Sequence, residues 1–277
     1  MPELPEAETI VRGLRDHVVG ETITRVEVLK ADVLREPKRR FSPKVRGRRI
    51  VAVERRAKNV LLRLDAARVI AVNLGMTGRL LPFADSPRGH ARPTHTAVRF
   101  RFESGGVLIF NDVRRFGTVE CLSDEAWDTR SDRMGPEPLD PEFAPKTLYT
   151  GLRVSRSPVR SWLLDQRRIA GVGNIYAAEA LFLAGIHPKR PARDVTRAEA
   201  EALHESIRGV LSRAIQAGGT TIRDYRTASG GEGGFASSLF VYGRDGEPCR
   251  SCSASVERSV FGNRSAFYCP RCQPESP

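Results

Sequence analysis

Long apolar runs are missing from this sequence of 277 residues, and we expect no leader peptide. No segment approaches the roughly eighteen consecutive apolar residues that a membrane-spanning helix requires. The N-terminal segment MPELPEAET is acidic and lacks the apolar stretch of a signal peptide. These absences predict a protein that works in the cytoplasm.

Acidic side chains are in deficit. The chain has 45 Lys and Arg residues against 33 Asp and Glu residues, which gives a formal net charge of +12. A basic surface attracts polyanions, because binding to phosphates releases condensed counterions. Ribosomal proteins and RNA enzymes can be equally basic, so charge alone does not choose among nucleic-acid partners.

Cysteine is scarce, and four of the five cysteines fall near the C-terminus: Cys249, Cys252, Cys269 and Cys272. In a cytosolic chain such clustering indicates a metal site rather than disulfides. Two CxxC turns can present four thiolates to one tetrahedral ion. The spacing therefore predicts one Zn²⁺ that is structural, because all four coordination positions are filled. Cys121 stands apart and is predicted to be an ordinary buried strand cysteine.

The hydrophobic pattern changes period along the chain. Residues 4–19 show helical spacing, and Gly20 can end that helix. Short, partly alternating strands follow at 22–29, 48–56, 59–65, 68–74, 96–102 and 106–112, which predicts a β-sandwich or barrel with the first helix packed on it. After a Pro-rich stretch, three helical segments follow within 157–219.

These changes predict an α+β multidomain protein with four segments. They are an N-terminal β-sandwich domain with a flanking helix at 1–133, a linker at 134–155, a helical domain at 156–240 and a C-terminal zinc ribbon with a β-hairpin at 241–277.

The N-terminus has two interpretations. Removal of Met1 would expose the secondary amine of Pro2, a nucleophile that can attack a sugar C1′, with Glu3 and Glu6 beside it to move protons. Proline and acidic residues in a first helical turn are also ordinary capping. Taken alone, these residues favour the capping interpretation.

Many separated segments resemble, in order and spacing, the bacterial formamidopyrimidine-DNA glycosylase family. The resemblance implies that 156–240 is a helix-two-turn-helix domain and that a single copy of the chain holds damaged double-stranded DNA in a cleft between domains, in the bacterial nucleoid. The segments that carry it are MPELPEAET, RRAKNVLL, NLGMTGRL, NDVRRFG, MGPEPL, LLDQRRIAGVGNIYAAEALF, IHP, GGTTIRDY, VYGR and NRSAFYCPRCQ.

The same resemblance implies roles for individual residues. Pro2 is similar to the Schiff-base nucleophile, Glu3 to the general acid/base, Glu6 to a second carboxylate and Lys58 to a lysine that contacts phosphate beside the lesion. The DNA contacts implied are Asn73, His95, Asn174 and Arg264, with Met76, Arg114 and Phe116 filling the space of an extruded base. The loop implied to read the lesion contains Thr220, Thr221, Arg223 and Tyr225.

Several of these residues also have a purely structural interpretation. Lys58 could be an ordinary strand-end lysine, and the turn before Asn174 a plain helix connection. Met76 and Phe116, read without the family, are more often core residues. This chain also departs from the usual pattern: Asn73 replaces a His, and Ser253 replaces a Gly after the second cysteine.

The resemblance implies a bifunctional enzyme that removes 8-oxoguanine and formamidopyrimidines and cleaves the abasic strand by β,δ-elimination. An endonuclease VIII-like enzyme for oxidised pyrimidines is the nearest alternative, although Leu4, Arg114 and Phe116 favour purines. Alternatives from other classes are a catalytically inactive protein that binds lesions and a zinc-ribbon protein acting on RNA.

Overall fold

A computed structural model describes residues 2–85, 93–222, 225, 227–228, 230–261 and 264–275. The chain divides into two compact units. The first contains residues 1–133 and 217–234, and the second contains residues 134–216 and 235–277. None of the helices in the described ranges is both long and apolar enough to cross a membrane.

The first helix, α1 (Leu4–Val18), forms as its apolar spacing predicts. Ile10, Val11 and Leu14 are buried on one face, which packs on the sheets of the first unit. The helix ends just before Gly20, whose φ of +91° is a conformation that glycine adopts without a steric penalty.

Two antiparallel four-stranded sheets form the sandwich of the first unit, in the orders β1-β6-β7-β5 and β2-β3-β4-β8. The strands are β1 (Ile23–Val28), β2 (Ile50–Arg56), β3 (Asn59–Leu64), β4 (Arg68–Asn73), β5 (Gly78–Phe83), β6 (Thr96–Phe102), β7 (Val107–Asp112) and β8 (Thr118–Ser123). The sandwich prediction is confirmed.

Two of these strands, β5 and β8, were not predicted from the sequence. Pro82 interrupts the pattern of β5, and it is accommodated because β5 lies at an edge of its sheet, where one side makes no ladder bonds. The sheets share one core with α1 and with α2 (Lys38–Val45). Cys121 in β8 is fully buried there, as predicted. A short helix, α3 (Asp124–Ser131), follows β8.

The second unit contains the helical segments that the pattern predicts. They are α5 (Val159–Leu164), α6 (Asn174–Leu183) and α7 (Arg197–Gln216). Within the range 134–155 expected to be a linker lies a further helix, α4 (Pro145–Arg153). Its Leu148 and Leu152 are fully buried, so this segment packs into the second unit instead of spanning a gap.

A β-hairpin completes the second unit, formed by β9 (Glu257–Phe261) and β10 (Arg264–Tyr268). The two strands pair antiparallel, with Phe267 opposite Arg258. Beside them, Val241, Val256 and Phe267 form a small apolar cluster with the cysteines and α6. The hairpin, the sandwich and the helices together confirm the α+β multidomain fold.

Candidate active site and metal centre

The start of α1 brings two carboxylates together. Pro2, Glu3 and Glu6 are all buried. One carboxylate oxygen of Glu6 accepts a hydrogen bond from the backbone N–H of Glu3 at 2.8 Å, and the other accepts from the N–H of Thr220 at 2.7 Å. Glu6 therefore caps the helix and also holds a loop that is more than two hundred residues away in sequence.

That loop follows α7 and closes on itself through polar contacts. The Thr221 hydroxyl donates to the carbonyl of Tyr225 at 3.1 Å and accepts from the N–H of Gly233 at 2.8 Å. A β-carbon at Gly219 would lie 3.0 Å from the Glu6 carboxylate, so glycine permits this close approach. Thr220, Thr221 and Tyr225 are thus grouped beside Glu6. Arg223, predicted to belong to the same loop, lies outside the described residues.

Tyr225 is a buried neutral donor in this loop. Burial, reinforced by the charge of Glu6, raises the pKa of its phenol. Its hydroxyl donates to the carbonyl of Gly218 at 3.1 Å. A phenol that stays protonated keeps this hydrogen bond across the whole neutral pH range.

Lys58 lies in the tight turn between β2 and β3 and is half-buried. Its neighbour Ala57 has a φ of +53°, in the left-handed region, which fixes the turn. Arg55 donates to the carbonyl of Ala57 at 3.1 Å and to Glu8 of α1 at 3.0 Å. Arg55 therefore connects the lysine-bearing turn to the helix that begins at the two carboxylates.

Strand ends and the turns beside them present the predicted DNA-contacting residues of the first unit. Asn73 donates to the Asn59 side chain at 3.2 Å and accepts from the N–H of Gly75 at 3.1 Å, so its amide orders the turn that carries Met76. His95, Arg114 and Phe116 are exposed.

Phe116 and Met76 do not belong to the core. The Phe116 side chain is 58% exposed, and Met76 is half-buried. The guanidinium carbon of Arg114 lies 4.6 Å from the centre of the Phe116 ring. Residue type alone predicts that Met76 and Phe116 belong to the core. That prediction is wrong, because both residues lie in loops and neither is buried.

In the second unit, Asn174 and the strand that begins at Arg264 are hydrogen-bonded together. The Asn174 amide donates to the carbonyl of Ser265 at 3.0 Å. Arg160, which is almost fully buried, donates to Asn174 at 2.6 Å and to the same carbonyl at 2.9 Å. Burial and the nearby charge of Arg264 lower the pKa of Arg160.

The four cysteines form the predicted cluster. Their sulfur atoms all lie within 4.8 Å of one another. The Sγ atoms of Cys249 and Cys272 are 3.9 Å apart, and those of Cys252 and Cys269 are 3.5 Å apart. Zn–S bonds of about 2.3 Å in a tetrahedron place sulfurs about 3.8 Å apart, so the cluster fits one structural Zn²⁺.

Ser253 occupies a strained position beside this cluster. Its φ is +62°, a conformation that a glycine adopts more readily than a serine. Its backbone N–H donates to the carbonyl of Cys249 at 3.0 Å, which closes the first CxxC turn. The departure at this position therefore leaves the turn intact.

Several buried polar residues that organise these sites were missed by sequence analysis. Glu179, in the otherwise apolar α6, accepts from the N–H groups of Phe240, Val241 and Tyr242 at 2.7–3.0 Å. A lone acid inside an apolar helix was the available signal. Arg160 and Asp112 were also missed, although Asp112 lies in the quoted segment NDVRRFG and Arg160 lies three residues before the segment that begins LLDQRR.

Known proteins match this architecture from end to end. Residues 1–119 match the formamidopyrimidine-DNA glycosylase N-terminal domain, residues 134–226 its H2TH domain, and residues 246–274 a zinc finger found in FPG and IleRS. The formamidopyrimidine-DNA glycosylase of Chloroflexus aggregans is 44% identical over 276 residues, covering 99% of this chain and 98% of that one.

Solved structures of the same family have the same fold. The MutM (Fpg) protein of Thermus thermophilus superposes with a TM-score of 0.88 at 40% identity, covering 100% of both chains. A complex of wild-type Lactococcus lactis Fpg with DNA containing N7-benzyl-Fapy-dG gives a TM-score of 0.89 at 32% identity, covering 99% of this chain and 100% of that one.

The sandwich, the H2TH helices and the four-cysteine finger define a DNA-repair glycosylase with AP lyase activity. More particularly, the chain belongs to the formamidopyrimidine-DNA glycosylase family.

Proposed function

We propose that this protein removes 8-oxoguanine and formamidopyrimidines from double-stranded DNA and then cuts the strand through a Schiff base at Pro2. The observation that carries the proposal is the position of residue 2 at the start of α1, beside two buried carboxylates. The Lactococcus lactis relative bound to DNA containing N7-benzyl-Fapy-dG supports a ring-opened purine as substrate. The net charge of +12 supports a polyanionic partner.

The first stage releases the base. After removal of Met1, the Pro2 nitrogen forms a bond to C1′ while the bond from C1′ to the damaged base breaks. The base leaves with the electron pair and takes up the proton that the Pro2 nitrogen releases. Glu3 donates a proton to O4′ as the C1′–O4′ bond opens, which leaves an iminium ion between Pro2 and C1′. Glu6 holds the N–H of Glu3 and the loop of Thr220 during this step.

The second stage cuts the strand. The iminium makes the 2′ proton acidic; its removal forms a C2′–C3′ double bond and expels the 3′ phosphate. A second elimination expels the 5′ phosphate, and water hydrolyses the remaining iminium to free Pro2. The products are a one-nucleotide gap with phosphate ends, the sugar remnant as an unsaturated aldehyde, and a regenerated amine.

Binding requires that the damaged base leave the helix. Lys58, Asn73 and His95 in the first unit contact the backbone in this proposal, as do Asn174 and Arg264 in the second. Met76, Arg114 and Phe116 fill the vacated space, with Arg114 hydrogen-bonded to the orphaned cytosine. The loop of Thr220, Thr221, Arg223 and Tyr225 reads the extruded purine. A single copy of the chain acts in this way in the bacterial nucleoid.

The zinc ion supplies no reaction step in this proposal. Held by Cys249, Cys252, Cys269 and Cys272, it stabilises the fold of the ribbon that presents Arg264.

Borohydride trapping tests the proposal on a duplex containing 8-oxoguanine opposite cytosine. We expect wild type to form a covalent complex that peptide mapping places at residue 2. Pro2→Gly should lose about 100-fold or more in trapping and cleavage, because the ring no longer fixes the amine in its attacking geometry. Pro5→Gly, which removes a proline from the same helix start without altering the terminal amine, is the matched control and should still trap.

Other outcomes assign other functions. One such outcome is that wild type binds this duplex without forming a covalent complex or cutting it, and also fails to trap or cut abasic and oxidised-pyrimidine duplexes. That result would make the protein a lesion-binding protein. If it acts only on the oxidised-pyrimidine duplex, the endonuclease VIII-like activity is correct. A cross-link mapped to Lys58 would overturn the role of Pro2.

A further inference from the structure

Asp112, the last residue of β7, is a carboxylate buried to 2% exposure with no assigned role. It immediately precedes the loop 113–117, which carries Arg114 and Phe116. Buried carboxylates are costly unless several donors satisfy them, so the donors around Asp112 show what it stabilises.

The Asp112 carboxylate binds the two loops proposed to fill the vacated base position. One oxygen accepts from the Thr77 hydroxyl and from the N–H of Arg114 at 3.2 Å. The other accepts from the N–H of Gly117 at 2.8 Å. The Thr77 hydroxyl itself accepts from the N–H of Arg114 at 3.0 Å. Asp112 thus holds both ends of one loop and the residue next to Met76 in the other.

The two loops are also in direct backbone contact. A β-carbon at Gly75, whose φ is +60°, would lie 2.5 Å from the carbonyl carbon of Phe116. A β-carbon at Gly117 would lie 2.9 Å from the carbonyl oxygen of Asn73 and 3.0 Å from the Asp112 carboxylate. Glycine at both positions lets the loops touch, so they can form one rigid unit.

The residues at the tip cannot hold this conformation by burial. Phe116 is 58% exposed, and Val113 is 50% exposed. Arg115, between Arg114 and Phe116, has a φ of +57°, which costs energy for a residue with a side chain. The conformation of the loop 113–117 is therefore maintained by the hydrogen bonds between its backbone and the buried Asp112 carboxylate.

We propose that Asp112, together with Thr77, is a positioning residue that orders the Met76 loop and the Arg114–Phe116 loop as one preformed wedge. A wedge ordered in the free protein does not lose conformational entropy when it enters DNA, which favours insertion into the space left by the base. The inference rests on the proposed function, because it assumes that these loops replace the extruded base.

Asp112→Asn is the decisive variant, because it replaces one acceptor oxygen with an amide donor at unchanged size. We expect single-turnover excision of 8-oxoguanine opposite cytosine to fall roughly 10- to 100-fold, as a buried donor loses its partner. Cleavage of a preformed abasic site in single-stranded DNA needs no wedge and should change by less than about 3-fold. The ratio of the two rates separates positioning from general damage to the fold, which would lower both.

Thr77→Val and Thr77→Ser extend the test should Asp112→Asn fold poorly. Valine removes the hydroxyl and should lower the same ratio, whereas serine retains the hydroxyl and should restore it. In a Phe116→Ala background the Asp112→Asn loss should shrink, because residues acting through one another are not additive.

Asp32→Asn is the matched control for charge. Asp32 is an exposed carboxylate paired with Arg115 at 2.9 Å on the solvent side of the same loop, and its loss should change the ratio by less than about 3-fold. An unchanged ratio in Asp112→Asn and Thr77→Val, or an equal change in Asp32→Asn, would overturn the inference. Failure of the proposed function is distinct, since wild type itself would then not excise 8-oxoguanine.

Discussion

The cysteine cluster and the site formed by Pro2, Glu3 and Glu6, which we call the N-terminal centre, are assembled in opposite ways. The four sulfurs come from two CxxC turns within 24 residues of chain, and each turn fixes its own geometry. The N-terminal centre joins Glu6 of α1 to Thr220 in a loop that follows α7. The first site is stabilised by a ligand, the second by the packing of a whole unit.

This difference determines what each site tolerates. A metal site loses its fold when one ligand is removed, because binding free energy is folding free energy there. A site assembled by packing keeps its fold when one polar side chain changes, but loses the alignment of its parts. Variants in the two regions should therefore fail in different ways.

The largest effect is expected from Cys269→Ala. Structural zinc contributes on the order of 10 kcal/mol to such small domains, so the ribbon should lose its zinc and its hairpin. DNA affinity should fall about 100-fold or more, because Arg264 would no longer be held in place. Metal content, hydrogen exchange across 246–274 and a DNA-binding titration measure these changes, while the sandwich should retain its protection.

Cys121→Ala is the control, since it removes a buried thiol from β8 in the other unit. It should cost about 1 kcal/mol of stability through lost packing and leave zinc and DNA binding intact. Cys269→Ala protein that still bound one zinc and DNA normally would show that the comparison is wrong.

Glu6→Gln comes next and addresses the N-terminal centre. The amide offers one acceptor where two backbone N–H groups now bind a carboxylate, so either Glu3 or Thr220 loses a partner. We expect a roughly 10- to 100-fold fall in single-turnover base excision. Glu54→Gln, at a half-exposed carboxylate paired with Arg63, should leave the rate unchanged. Equal rates for both variants would remove Glu6 from the site.

The contrast between locally and distantly assembled sites also explains which features could be predicted from the sequence. The zinc site follows from spacing alone. The sandwich strands other than β5 and β8, and the helices α1, α5, α6 and α7, follow from periodicity, because these signals lie within a few residues of one another. The helix at Pro145–Arg153 was missed because its segment opens in proline-rich sequence, although Leu148 and Leu152 pack inside the second unit.

Contacts between distant residues had no such signal. The bond between Glu6 and Thr220 spans most of the chain, and the buried Arg160 binds a carbonyl more than a hundred residues away. The resemblance assigned Phe116 to the space of an extruded base, whereas its residue type alone favoured the core, and the structure exposes its side chain. Residues of this kind were identified only through their similarity to a family, or not at all.

A smaller effect is expected at Arg160, which separates positioning from direct phosphate contact. Arg160→Met should weaken DNA binding about 3- to 10-fold, because Asn174 and the Ser265 carbonyl lose their shared donor. Since Arg160 is buried, the slope of log K against log salt should not change. Arg264→Ala, at an exposed arginine, should reduce that slope by about 1. A reduced slope in Arg160→Met would place Arg160 on the phosphate backbone.

The smallest effect concerns Glu8, which links α1 to the turn of Lys58 through Arg55. Burial opposes ionisation of Glu8, but hydrogen bonds and charges from Arg12 and Arg55 outweigh it and lower its pKa below the usual value of 4.5. The charged form is thus favoured in the folded protein, and its stabilisation is present above that value and lost as pH falls further.

Glu8→Gln should therefore cost about 1 kcal/mol of unfolding free energy at pH 7 and progressively less below about pH 4.5, where the wild-type carboxyl also becomes neutral. Urea unfolding at several pH values measures this difference. Glu201→Gln breaks a solvent-exposed pair with Arg197 on α7 and should change stability by less than about 0.5 kcal/mol at any pH. A loss in Glu8→Gln that is equally large at pH 3 would mean that packing, and not charge, connects α1 to the hairpin turn.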